Sequence, residues 1–245
     1  MMRHVLIYLI LLCAPVYAWA QDDYPSVEPK ALYTTAEGEE IEDASGGQSA
    51  PLAAHFTANP SNLGDYTARY EWKIYRPGQE QTPLVHRFEE DLDYTFVENG
   101  TFCVQLYATF VLGTDTIAYP EEGMADPIMV SINESKLDFP NAFSPNLEPD
   151  GFNDELKAKE YESIVDFKAV VFSRWGQKIY SWNNVSKGWD GRWNGRLVRD
   201  GVYFLVVNAR GADGKTYNIR KAITVLTGYD KTAKEGGNGA GDGEE

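Results

Sequence analysis

The sequence is poor in cysteine, with Cys13 and Cys103 alone in 245 residues. Cys13 lies in an N-terminal targeting segment, so the mature chain keeps one thiol. No intrachain disulfide can form, and a disulfide scaffold is excluded. Histidine is almost as rare: beyond the targeting segment there are only His55 and His86. Two imidazoles and one thiol at these spacings do not make a metal site. Gly-x-Ser-x-Gly, His-Glu-x-x-His and Cys–His pairings are missing. The chain therefore reads as non-enzymatic, with no cofactor expected. Positive charge is in the minority, 22 Lys+Arg against 37 Asp+Glu, for a net charge of −15. Nucleic acid and anionic membrane surfaces repel such a protein. Beyond the first dozen residues no apolar run approaches the roughly 20 residues that cross a bilayer.

Arg3 and His4 precede a short apolar run, Val5 to Leu12, and Ala18-Trp19-Ala20 is a small-x-small cleavage site. Residues 1–20 are thus expected to be a signal peptide, cleaved to leave Gln21. Lipidation at Cys13 is the competing reading, but Leu12 stands where a small residue is needed. Residues 21–49 are acidic, with a cluster from Glu37 to Asp43, and read as a solvated edge with one short strand at Ala31–Thr34.

From residue 50 the pattern turns to strands. Tyr70 to Tyr75 alternates strictly, with Tyr70, Trp72 and Ile74 on one face. Leu52–Thr57, Leu84–Phe88, Tyr94–Val97, Thr101–Phe110, Thr114–Ala118 and Ile128–Ile132 complete a set of short strands. Asn99-Gly100 predicts a hairpin between two of them. Alternation in Thr101–Tyr107 puts Phe102, Val104 and Leu106 inward and Cys103 with Gln105 on the other, half-covered face. The spacing means an all-β sandwich over 50–133. With its Trp72 strand and the Asn-Gly-Thr-Phe turn, it resembles a PKD-like, immunoglobulin-type module. Asp115-Thr116-Ile117 fits a short O-glycosylation pattern at Thr116.

Asn133 to Lys136 reads as a polar linker into a second sandwich over 134–228. Its motifs are dense. Phe139-Pro140-Asn141-Ala-Phe143 is a stiff strand turning at Ser144-Pro145-Asn146, because each proline fixes its own φ and extends the residue before it. Asp150-Gly151 and Asn153-Asp154 follow in a loop whose oxygens also include Glu148. Its spacing does not fit an EF-hand, and turn-capping by Asx side chains is the simpler reading. Arg174-Trp175-Gly176 turns one strand onto the next. Trp189-Asp190-Gly191 and Trp193-Asn194-Gly195 are aromatic-plus-turn units. Asp200-Gly201 opens the strand that contains Tyr203, and Asp213-Gly214 makes a hairpin. Residues 229–245 are an acidic, Gly-rich tail that reads as flexible.

In that order these motifs resemble the gliding motility-associated C-terminal domain of Bacteroidetes, the type B sorting domain of the type IX secretion system. Two departures stand out: Leu147-Glu-Pro149 is inserted in the acidic loop, and the chain runs on past the strand ending at Leu226. The resemblance implies two tandem immunoglobulin-like β-sandwiches. It implies export through the signal peptide and the type IX translocon to the cell surface, the outer membrane or the medium. It also implies a PorP/SprF-like outer-membrane β-barrel as partner, with the motif residues as a docking surface. The competing reading is a secreted adhesin or a carbohydrate-binding module that stacks a surface glycan on Trp189 and Trp193.

Overall fold

A computed structural model describes residues 24–121, 126–145 and 153–227. The expected signal peptide and tail, and Asn146, Asp150 and Gly151 of the motifs, lie outside them. The described chain is all-β, in two immunoglobulin-like sandwiches, each with its own core.

The first sandwich runs β1 (Ser26–Val27), β2 (Lys30–Thr34), β3 (Glu40–Ile41), β4 (Ala44–Gln48), β5 (Leu52–Thr57), β6 (Pro60–Ser61), β7 (Thr67–Tyr75), β8 (Val85–Arg87), β9 (Leu92–Phe96), β10 (Gly100–Leu112), β11 (Asp115–Tyr119) and β12 (Ile128–Ile132). One sheet has the order β3-β2-β5-β9; the other is β4-β12-β10-β7-β8, with β11 also on β10. The alternation in β7 does what period-2 patterning requires, burying Trp72 and Ile74 completely. The Trp72 ring lies 5.8 Å from Phe56 of the facing sheet, and its Nε1 donates to the Glu90 carbonyl at 3.0 Å. A buried indole so paired contributes its full apolar area without leaving a donor unmet.

Three expectations for this half need correction. The Asn99-Gly100 signal does not make a hairpin. β9 pairs with β5 and β10 with β7, so Glu98-Asn-Gly is an arch between the two sheets. The arch is favoured because Phe96 and Phe102 both belong in the core, with rings 4.9 Å apart. Gly100, at φ +107°, serves an arch as readily as a hairpin. Second, Cys103 and Gln105 are buried like their neighbours. Met129 and Tyr75 flank Cys103 in register and cover the outer face, and burial pushes the thiol pKa up. Third, the acidic N-terminal segment is more than an edge. β2 sits inside its sheet, β4 pairs parallel with β12, and Tyr33 and Ala44 are buried in the core.

The second sandwich runs β13 (Lys136–Asp138), β14 (Ala142–Phe143), β15 (Glu160–Glu162), β16 (Ile164–Phe172), β17 (Lys178–Trp182), β18 (Arg192–Trp193), β19 (Arg196–Leu197), β20 (Gly201–Gly211) and β21 (Thr216–Val225). The main sheet is β14-β21-β20-β16-β17, and β13-β15 and β18-β19 are separate ribbons. Here the expected strand from Phe139 to Phe143 is shortened to its last two residues, β14, and a separate β13 precedes it. β13 pairs with β15, β14 pairs parallel with β21, and Pro140, which donates no hydrogen bond, stands at the crossing. The Asp213-Gly214 hairpin joins β20 to β21 as the sequence suggests.

The linker is pinned. The Asn133 amide donates to the Gln48 carbonyl at 2.9 Å, and its side chain donates to Glu162 at 2.6 Å. Buried Ser135 donates to Asp213 at 2.8 Å and accepts at its carbonyl from the Tyr217 hydroxyl at 2.8 Å. Nearby, Ser163 is fully buried at φ +48°. Its Oγ accepts from the Ala50 amide at 3.1 Å, and its own amide donates to Ser49 Oγ at 2.7 Å. The β20–β21 hairpin reaches across too: Asn99 donates to the Ala212 carbonyl at 3.2 Å, and Ala212 packs into the first core.

The carboxylates of this junction predict acid sensitivity. The hydrogen bond from Lys136 lowers the Glu162 pKa. For Asp213 burial acts to raise the pKa, but bonds from Ser135 and Lys215 outweigh it and the net shift is downward. A depressed folded-state pKa adds stability above the unfolded carboxylate value of about 4, and that stability is lost as pH falls through the folded value. The thermal midpoint is therefore expected to hold from neutrality down to about pH 5 and to fall below about pH 4. In a Glu162→Gln/Asp213→Asn variant the midpoint starts lower and falls less steeply. Parallel curves for the two proteins would refute the assignment.

Candidate functional site

The end of the second sandwich farthest from the linker holds a cleft of about 740 Å³, lined by the β16–β17 turn, the β18–β19 ribbon and the start of β20. Local sequence sets each wall. Ser173 Oγ accepts from the amides of Trp175 and Gln177, both at 3.3 Å, and Gly176 takes φ +76° to close the turn. This leaves the Trp175 ring 81% exposed, with the Arg174 guanidinium 4.8 Å from its centroid. Asn194 and Gly195, at φ +52° and +78°, form the two-residue turn that pairs Trp193 with Arg196. Trp193 is partly exposed beside the cleft, and so are Val202 and Phe204 on β20.

The cleft is positive in a negative protein. Arg174, Arg196 and Arg199 line it, and none of the three has a carboxylate in ion-pair range among the described residues. Asp200, the single acid in the lining, is already engaged: it accepts from the Thr227 amide at 2.7 Å and from the Thr227 hydroxyl. Tyr203 closes the floor, its hydroxyl donating to the Arg199 carbonyl at 3.1 Å. Burial raises the Tyr203 pKa, while the charges of Arg174 and Arg199 pull against it.

Beneath the cleft, Trp189 is wholly buried between Phe143 (5.4 Å) and Tyr203 (5.6 Å), with Nε1 donating to the Arg192 carbonyl at 2.8 Å. Asp190 caps the following turn by accepting from the Arg192 amide at 3.0 Å. Gly191 has φ +74°, and a Cβ there would meet Pro145 at 2.5 Å. The close-packed FSP, WDG and DGVY motifs are thus one assembly.

Residues 137–225 match the CHU_C type IX secretion signal domain. That stretch is thus similar to a domain that marks proteins for type IX export to the cell surface or beyond it. Latent dimeric PorU from Porphyromonas gingivalis is 10% identical over 83% of this chain and 20% of its own, with a TM-score of 0.22. Protocadherin gamma B2 cadherin domains 3–6 are 10% identical over 83% of this chain and 50% of their own, with a TM-score of 0.23. This chain thus spans a fifth of the one and half of the other. No curated protein matches the sequence.

Within the signal domain the motif residues have different jobs. Phe139, Phe143, Pro145, Trp189 and Gly191 are interior, and Tyr203 is half-buried. Asn141 holds the β14 edge by accepting from the Thr224 amide at 2.8 Å, and Ser144 donates to the Asn153 carbonyl at 2.8 Å. Arg174 and Trp175 face outward. Trp189 offers no face to a sugar, which corrects its expected role in glycan stacking. Thr116 is exposed on β11. His55 and His86 stand on different sheets, each beside a carboxylate at 2.7 Å. Among the described residues no cluster of three His, Cys, Asp or Glu could hold a metal; Glu148 and Asp150 of the acidic loop lie outside them. Sequence reasoning missed Arg196, Arg199 and Val202, which no short motif ties to Arg174.

Proposed function

We propose that this is a non-enzymatic protein of the type IX secretion and gliding apparatus that docks through its signal domain on a PorP/SprF-like outer-membrane β-barrel. One observation carries the reading. The matched domain joins an exposed Trp175, an outward Val202 and three arginines without an ion-pair partner among the described residues in one concave surface. Exposed aromatics beside arginine are the composition of protein-binding hot spots. The first sandwich is assigned the role of an adaptor; its two His–carboxylate pairs are exposed and stand on different sheets.

The test is co-purification from outer membranes. The tagged wild-type chain is expected to bring down a barrel subunit. Trp175→Ala/Val202→Ser is expected to lose it at least tenfold while keeping its thermal midpoint. Undiminished recovery by the folded variant would reject the cleft as the docking face.

A second reading has one observation behind it: Trp175 and Trp193 both line the cleft and are exposed. A glycan could stack there. Binding of a soluble oligosaccharide, lost in Trp175→Ala, would favour an adhesin carried as cargo.

A further inference from the structure

We propose that the cleft of the signal domain is a receptor for the chain's own acidic C-terminal segment, residues 228–245, which occupies it in cis and competes with outside partners. The occupancy stands on the cleft's geometry; its regulatory consequence rests on the docking reading above.

Three observations converge. First, the cleft gathers the guanidinium groups of Arg174, Arg196 and Arg199, none with a carboxylate in ion-pair range among the described residues, in a protein whose net charge is −15. Unpaired arginines seek carboxylates, which they grip through two parallel N–H donors. Second, the segment that follows Thr227 is the complement. It holds Asp230, Glu235, Asp242, Glu244 and Glu245 against Lys231 and Lys234. Third, the path starts in the right place. The Thr227 amide and hydroxyl are both bound by Asp200, a lining residue of the cleft. The bond also uses the one lining carboxylate, so that Asp200 marks the exit and leaves the arginines to the residues beyond it.

Reach is not limiting. Eighteen residues span up to roughly 60 Å when extended, far more than the cleft requires. Tethering at the rim raises the local concentration of the segment to the order of millimolar, so even a weak pairing fills the site. The aromatic walls would contribute by packing on the segment's Tyr229, the one aromatic within it.

The experiment compares the full mature chain with a chain ending at Thr227, using a synthetic peptide of residues 228–245 as the probe. Binding is read from Trp fluorescence and by calorimetry at about 50 mM salt. The peptide is expected to bind the shortened chain, to bind the full chain at least tenfold more weakly, and to be lost on raising the salt to about 500 mM. Arg196→Glu/Arg199→Glu in the shortened chain should abolish binding with the thermal midpoint retained. Equal binding to both chains overturns occupancy in cis, and no binding to the shortened chain overturns the site.

The two readings fail separately. If the peptide binds as expected but the shortened chain recovers no more barrel than the full chain from outer membranes, cis occupancy holds and its regulatory role falls. If an acidic segment of a partner displaces the peptide, the cleft is confirmed as a carboxylate receptor with a competing occupant.

Discussion

Trp189→Ala is expected to lower the stability of the signal domain by about 3–5 kcal/mol, the usual cost of deleting a buried large aromatic. Three losses coincide at this position. The ring leaves a hole between Phe143 and Tyr203, and its bond to the Arg192 carbonyl disappears. The turn at Gly191, pressed against Pro145, then loses its support. A domain of this size has roughly 5–15 kcal/mol in total, so the variant sits at the edge of folding. Urea unfolding followed by near-ultraviolet circular dichroism measures it. Trp175→Ala is the control: its ring is 81% exposed, and a surface change away from packing stays within about 0.5 kcal/mol. Equal midpoints for the two tryptophan variants would show that Trp189 is not a keystone.

Ser163→Val carries the second large effect and acts between the sandwiches. Valine at φ +48° is strained, because a β-branched side chain does not tolerate the left-handed region. The Ala50 amide, which donates to Ser163 Oγ at 3.1 Å, is left buried and unmet. Strain and desolvation together cost about 2–5 kcal/mol. Calorimetry of the full chain is expected to show one transition for the wild type and two for the variant, as the sandwiches unfold independently. Ser163→Gly removes the hydroxyl but relieves the strain, so its loss should be smaller by about 1–2 kcal/mol. If glycine and valine behave alike, strain is not part of the cost.

Much of the fold was legible because alternation and turn chemistry act locally. Tyr70 to Tyr75 announced β7, Asp213-Gly214 announced a hairpin, and Arg174-Trp175-Gly176 announced a turn. Asn99-Gly100 misled for a physical reason. A positive-φ glycine permits a reversal but does not choose between pairing the flanking strands and separating them. That choice belongs to Phe96 and Phe102, which meet in the core from opposite sheets. Proline at position 140 spoke for an extended chain but was silent on its division between two sheets.

The site was half legible. The motifs FPNAFSPN, WDG and DGVY stood out, yet Phe139, Phe143, Pro145 and Trp189 in them are interior scaffold. The surface they support draws Arg174 from one hairpin and Arg196 and Arg199 from another stretch of chain. Only the pairing of β16 with both β17 and β20 brings them together. The contacts between the sandwiches were hidden as well. They join backbone amides to serine hydroxyls more than a hundred positions apart, which leaves no pattern in a sequence window.

The β20–β21 hairpin has its tip, Ala212, in the first core and its open end, Gly201 against Val225, at the cleft. Eleven residues of strand hold these ends roughly 35 Å apart. The hairpin is therefore a mast stepped into the neighbouring domain, with the cleft at the masthead. A bulkier domain could replace the first sandwich without shading the cleft, provided it offers the same socket for the tip.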